Sequence, residues 1–270
     1  MLQRVITVLT VCLLPFKVLA QGIEFITQSP KQGSMIIGKV SGQGEVFYKQ
    51  TKLSLDEDGV FVFGVGREAP EKVSVTLKTK TQKISYPIEI SPRQWKIERV
   101  DGLPPGKVSP KAPEVLKRIA AEGKLVRQAR NQNTKLNFFK MNFILPAEGR
   151  ISGVYGSQRI LNGEPKRPHY GLDVANKTGT PVIAPADGVV SLAHNDMFYS
   201  GGTLIIDHGQ GISSTYIHLN SIDVRLGQAI KQGQTIGTIG ATGRATGPHL
   251  DWRLNWFQTR LDPQLLLKGY

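Results

Sequence analysis

From Met141 onward the chain reads as short apolar runs separated by glycine turns, and no segment sustains a helical apolar spacing before the C-terminal tail. That pattern excludes a helical bundle and predicts a mostly β fold. The clearest run is GPHLDWRLNW, from Gly247 to Trp256. In a strand, successive side chains alternate between faces, so Leu250, Trp252, Leu254 and Trp256 share one side while His249, Asp251, Arg253 and Asn255 share the other. The first face suits a core. The second carries a histidine and a carboxylate that project together, as a pair of metal ligands or a ligand and a base would.

The first part of the chain predicts strands too. Glu45 to Tyr48, Val60 to Phe63, Val73 to Leu77 and Ile84 to Ile90 are short β-type runs, and Asp56-Glu57-Asp58-Gly59 reads as a turn before the second of them. Val73, Val75 and Leu77 alternate cleanly, as do Ile84, Tyr86, Ile88 and Ile90. A small immunoglobulin-like β-sandwich over residues 21–100 is the economical expectation, serving to position or bind. Residues 101–135 then form a linker, rich in proline and glycine from Leu103 to Pro113, followed by PEVLKRIAAEGKLVRQAR from Pro113 to Arg130. Val115, Ile119 and Val126 fall at helical spacing, and proline suits the first turn. Lys117, Arg118, Lys124, Arg127 and Arg130 make this a basic helix, expected to present a solvated face. Residues 136–270 form the last unit.

Composition bears on location and partners. Residues 1–20, MLQRVITVLTVCLLPFKVLA, have the charged, apolar and small-residue order of a signal peptide cut before Gln21, which predicts export to the periplasm or cell envelope. No later segment approaches the roughly 20 apolar residues of a membrane span. The chain's one cysteine, Cys12, lies in that leader, so the mature chain has neither thiol catalysis nor thiolate ligation. The formal charge of +13 becomes 13 − 2 = +11 once Arg4 and Lys17 are removed. Such a balance favours an anionic envelope polymer; export, and the lack of any nucleic-acid-binding signature, argue against nucleic acid.

All five histidines lie in the last unit. Three pieces stand out: PHYGLD with His169 and Asp173, STYIHL with His218, and GPHLD with His249 and Asp251. Together they supply neutral imidazoles and carboxylates, the set Zn²⁺ takes when thiolates are absent. A straight strand would hold the Cα atoms of His169 and Asp173 about 13 Å apart, too far for one ion, so the chain must bend between them, and Gly171 is the residue that permits it. His194 in AHND and His208 in DHG fall in expected loops without ligand spacing and read as structural. Tyr155 and Arg159, just before the first motif, could orient a substrate or simply pack.

The segments RISGVYGSQR, HYGLDVANKTGTPVIAPADGVV, GGTLIIDHGQGISSTYIHL and VRLGQAIKQGQTIGTIGATGRATGPHL, in that order, resemble the M23 (lysostaphin-like, LytM-type) metallopeptidases from about Arg150 to Pro263. Those enzymes are zinc endopeptidases of peptidoglycan, marked by H-x-x-x-D and a later H-x-H. By position, the resemblance implies that His169 and Asp173 ligate Zn²⁺ and that His218 and His249 are catalytic. The second histidine of H-x-H, the third ligand in the family, is Asp251 here. Aspartate is also a zinc ligand, so His169, Asp173 and Asp251 remain a competent set, although two carboxylates make the metal a weaker Lewis acid. The implied activity is hydrolysis of peptide cross-links in peptidoglycan stem peptides. Asp251 supports one alternative, an inactive scaffold or activator of other wall hydrolases, against which the four retained site residues weigh. A lipoyl-carrier-like barrel, suggested by PADGVV and QGQTIGTIG, would need a lysine at a hairpin tip, and Lys231 precedes the relevant strand instead.

Overall fold

The computed structural model describes residues 22–101 and 111–268. The expected leader with Cys12, and residues 102–110 of the expected linker, lie outside the described residues. No helix among the described residues is long and apolar enough to cross a membrane.

The first part forms two antiparallel sheets. Gly22–Phe25, Met35–Ser41 and Val60–Gly64 make one of three strands; Thr51–Lys52, Glu45–Tyr48, Lys72–Lys78 and Lys83–Glu89 make one of four. Alternation works as read: Val73, Val75 and Leu77 are buried while Lys72, Ser74 and Lys78 are exposed. The turn before Val60 is closed by Asp56, whose Oδ1 accepts from the backbone N–H of Asp58 and Val60. Gly59 completes it at φ +77°, a conformation that side chains resist.

The second part is built on a large antiparallel sheet. Its main path runs Ala229–Ile230, Gly188–Met197, Gly201–Gly209, Ile212–Ile222, His249–Trp256, Leu172–Ala175 and Arg150–Gly153. Both faces of His249–Trp256 are largely shielded, and both its edges are paired, to Leu172–Ala175 and Ile212–Ile222. Among the described residues from Met141 on there is no α-helix; Pro263–Leu266 is a single 3₁₀ turn.

The two parts share one apolar core. Tyr48 stacks on Phe63 with centroids 4.3 Å apart, and Trp256 reaches both rings, at 5.9 and 6.5 Å. Polar latches flank that seam. Arg93 pairs with buried Asp262 at 2.7 Å and lies over Trp95, which meets Tyr155 edge to face. Arg67 donates to the Gly156 carbonyl, and the Gly156 N–H donates to the carbonyl of His169. The first part is thereby tied, through two hydrogen bonds, to a residue of the expected metal site. Ile97–Val100 also pairs in parallel with Gln158–Leu161, bridging the same two parts.

The helix Pro113–Arg130 has the bounds expected from its spacing. Its basic residues do not form a uniformly solvated face. Arg118 bonds Glu122 at 2.7 Å and Asp196 at 3.0 Å, and Glu122 accepts from the Phe198 N–H, docking the helix at the end of Gly188–Met197. Arg130 is 4% exposed and donates to Thr215 Oγ1. Burial, then the nearby Arg260 and Arg253, pull its pKa well below the ordinary arginine value.

His208 is structural, as expected, but it lies in the strand Gly201–Gly209 and not in a loop. Its Nδ1–H donates to the Asp187 carbonyl, so Nε2 accepts from the Ser214 hydroxyl, and that oxygen accepts from the Tyr216 hydroxyl, each at 2.7 Å. Burial, opposed by the Asp187 carbonyl, pushes its pKa down to about 4. An unfolded histidine titrates near 6.5, so between these values the unfolded chain binds the proton better. The stability held above pH 6.5 is therefore lost as pH falls toward 4, by about 3 kcal/mol in all. Urea unfolding between pH 7 and 4 should show a steeper loss for the parent than for His208→Gln; equal slopes would contradict this.

Candidate metal centre and catalytic groove

The chain bends between His169 and Asp173 as required, since regular strand begins only at Leu172. The reason for glycine at 171 differs from the expected one. Gly171 does not adopt a positive φ; a Cβ there would overlap the Asp251 carboxylate, and a Cβ on Gly153 would overlap that of Asp173. These glycines serve close approach, not flexibility. His169 is held by its backbone, with its N–H donating to the Ser157 carbonyl and its own carbonyl accepting from Gly156.

Strand pairing brings the carboxylates together. Asp173 and Asp251 are direct cross-strand partners in the antiparallel pair Leu172–Ala175 and His249–Trp256. His169 Nε2 lies 3.0 Å from Asp173 Oδ1, and its Nδ1 lies 4.0 Å from Asp251 Oδ2. One ligand atom from each of the three residues can be chosen such that all lie within 4.8 Å of one another. All three side chains are buried. Neither ring nitrogen of His169 makes a hydrogen bond, a costly condition for a buried imidazole unless something else satisfies it. One imidazole nitrogen and two carboxylates gathered this closely are a donor set that fits a zinc-like dication.

Arg253, two residues along the same strand face, forks onto Asp251: Nε donates to Oδ1 at 2.9 Å and Nη2 to Oδ2 at 2.6 Å. Burial works to raise the Asp251 carboxyl, but the adjacent guanidinium outweighs it and holds the group well below the ordinary carboxylate range. The alternation in HLDWRLNW placed Arg253 on this face; the pairing itself had no signal in the sequence beyond the i, i+2 spacing of opposite charges.

His218 and His249 complete the groove, with ring centroids 4.8 Å apart. The Nδ1–H of His218 donates to the Thr242 carbonyl and that of His249 to the Gly247 carbonyl, each at 2.8 Å. Carbonyl oxygens only accept, so in each neutral ring Nε2 is the basic atom. Burial pushes the His218 pKa down to about 4, against the pull of Asp251, which keeps the ring neutral at physiological pH.

His218 also has a backbone peculiarity, a φ of +66°. It falls where three steps on Ile212–Ile222, from Tyr216 to Leu219, face two on Gly201–Gly209, from Leu204 to Gly202. This is a β-bulge that turns the side chain into the groove. Left-handed backbone at a non-glycine costs on the order of 1–3 kcal/mol, and such strain gathers at functional positions. His218→Gly should therefore be more stable than His218→Ala by about 1 kcal/mol, the reverse of the ordinary order within a strand. Matched thermal melts of the two variants check this, and greater stability of the alanine form would remove the strain argument.

The groove, ≈ 900 Å³ in volume, is lined by all five of these residues. It carries Arg150, Lys166, Arg167, Arg244, Arg253 and Arg260 against the carboxylates of Asp173 and Asp251. Arg244 lies over the Tyr199 ring at its rim, a feature no sequence motif marked. His194 stays apart from the centre, in the strand Gly188–Met197 and not in a loop, with Nδ1 accepting from the Asp196 N–H. Tyr155 is 1% exposed and donates to the Arg260 carbonyl, so it packs and does not reach substrate. The Arg159 side chain lies outside the described residues.

A β-sheet groove that gathers a histidine and two carboxylates beside two further imidazoles is an arrangement suited to metal-assisted hydrolysis. Residues 167–263 match the model of Peptidase family M23. It is 44% identical over 107 residues to Peptidoglycan DD-endopeptidase ShyA of Vibrio cholerae, covering 39% of this chain and 24% of that protein. An uncharacterized metalloprotease of Haemophilus influenzae is 34% identical over 138 residues, 50% of this chain and 28% of that protein. The chain thus spans about a quarter of the length of these curated relatives. Among solved structures, a candidate M23 peptidase from Pseudomonas aeruginosa aligns with TM-score 0.70 at 29% identity, over 90% of this chain and 96% of that one. That likeness extends through the first part of the chain as well as the peptidase domain.

Proposed function

We propose that the chain is an exported zinc endopeptidase that hydrolyses peptide cross-links of bacterial peptidoglycan. The observation that carries this reading is the convergence, in one groove, of His169, Asp173 and Asp251 with two histidines whose Nδ1 atoms are tied to carbonyls. Zinc bound by the first three would supply a Lewis acid for a peptide carbonyl and its attacking water. His218, neutral and with Nε2 basic, accepts the water's proton, and the protonated ring can pass it to the leaving amine. His249, 4.8 Å away between centroids and of the same tautomer, shares this proton traffic and contacts the developing oxyanion.

The excess of cations along the groove favours a substrate bearing carboxylates, as wall stem peptides do, over a neutral or cationic one. The similarity to ShyA, a peptidoglycan DD-endopeptidase, points the same way. The charged, apolar and small-residue order of residues 1–20 supports action in the periplasm or envelope.

One observation favours a second reading, a metal-free scaffold or activator of other hydrolases: Arg253 engages both oxygens of Asp251. Metal content of the purified mature chain, measured beside product analysis on isolated peptidoglycan, separates the two. About one zinc per chain with new peptide termini supports the enzyme. A chain that neither holds zinc nor cuts supports the scaffold.

A further inference from the structure

Charge counting around the centre exposes a difficulty that Arg253 resolves. Asp173 and Asp251 are directly opposed across two paired strands, an arrangement that is unfavourable for like charges. Both are buried, so water screens them little. Counting a metal-bound imidazole as uncharged, the three candidate ligands carry −2 in formal charge, where a set of two histidines and one aspartate would carry −1. The Arg253 guanidinium, seated on both oxygens of Asp251, restores the total to −1.

We infer that Asp251 and Arg253 act as one neutral unit that stands in for a histidine ligand, with Arg253 as the positioning residue that aims the Asp251 carboxylate at His169 and Asp173. The geometry is suited to that task. A fork on both oxygens fixes the carboxylate plane as well as its place, which a lysine's single charge would not do. The oxygens keep further lone pairs, so the fork does not use up their capacity to ligate. Gly171 leaves the space that the Asp251 carboxylate occupies and also sits against the Arg253 stem, where a Cβ would lie 3.0 Å from its Cγ. Partly buried Arg253 lies in a basic row with buried Arg130: Thr215, its cross-strand partner, accepts a hydrogen bond from Arg130. Without Asp251 that row would have lost its nearest anion.

The consequence is a sign reversal between backgrounds. Asp251→His alone recreates the family's ligand but strands the Arg253 charge beside the cation, raising the local total from −1 to 0. Adding Arg253→Gln returns it to −1. The double variant should therefore bind zinc at least about tenfold more tightly than Asp251→His, given the strength of a unit charge a few ångströms from a dication. Asp251→His with Arg253→Lys keeps the charge and should stay as weak as Asp251→His. In the parent background, Arg253→Gln should lower the melting temperature of the metal-free protein, with zinc restoring more of it than zinc adds to the parent.

The inference rests on the proposed metal site, and the same measurements tell their failures apart. Zinc affinity is read on the full mature chain by competition with a chromophoric chelator, and folding by circular dichroism. A parent that binds no zinc overturns the metal-site reading. A parent that binds zinc, with Asp251→His equal to or tighter than its Arg253→Gln double, overturns the neutral-pair inference. Should the histidine variants fail to fold, Arg253→Gln alone decides: an unchanged metal-free melting temperature overturns the inference, and a zinc-reversible drop supports it.

Discussion

Asp251→Ala is expected to lose bound zinc and to melt well below the parent even when both are stripped of metal. Two separate effects produce this. Removing the carboxylate takes one of three donors from the centre, leaving His169 and Asp173, too few for a tight site. It also leaves Arg253 without its partner, and breaking a buried ion pair costs about 3–5 kcal/mol because the surviving charge stays desolvated. The Arg253 side chain is 23% exposed, so water offsets part of that and the lower end applies. For a chain of this size about 3 kcal/mol corresponds to a drop of roughly 6–12 °C in melting temperature. Scanning calorimetry in chelator, beside zinc stoichiometry in its absence, reads the two effects independently. Full zinc occupancy with an unchanged melt would end both the ligand assignment and the account of the ion pair.

His218→Ala should behave in the opposite way, keeping zinc and losing turnover. The ring's Nε2 is positioned to accept a proton, and its burial holds it in the neutral form that can do so. Loss of a positioned general base costs about 10²–10⁴-fold in rate. His249→Ala should fall in the same range, and the double variant should lose far less than the product of the two, because groups that act on one proton path are not additive. Single-turnover cleavage of a cross-linked wall fragment, with zinc measured on the same samples, provides the check. Zinc lost along with activity in His218→Ala would place that residue among the ligands and not in proton transfer.

Much of this molecule was legible in one dimension. Period-two alternation is a local property of the strand backbone, so HLDWRLNW divided into its core face and its chemical face without any knowledge of neighbours. Helical spacing placed Pro113–Arg130 for the same reason. The need for a bend between His169 and Asp173 followed from chain length alone. What chain position could not convey depends on partners far apart in sequence. The opposition of Asp173 to Asp251 is a matter of strand register, set by how the apolar faces of two distant strands meet the core. The left-handed backbone of His218 arises from a bulge against Gly201–Gly209, although nothing in STYIHL departs from an ordinary strand. Arg130 reads as a solvated helix residue until the helix docks and buries it near Thr215. Gly171 reads as a hinge until the Asp251 carboxylate is packed against it, when it proves to be a matter of space. Asp251 and Arg253 were both visible on one face; their pairing is a choice of rotamers made in a crowded centre, where an unmatched carboxylate at buried Asp251 has little water to turn to.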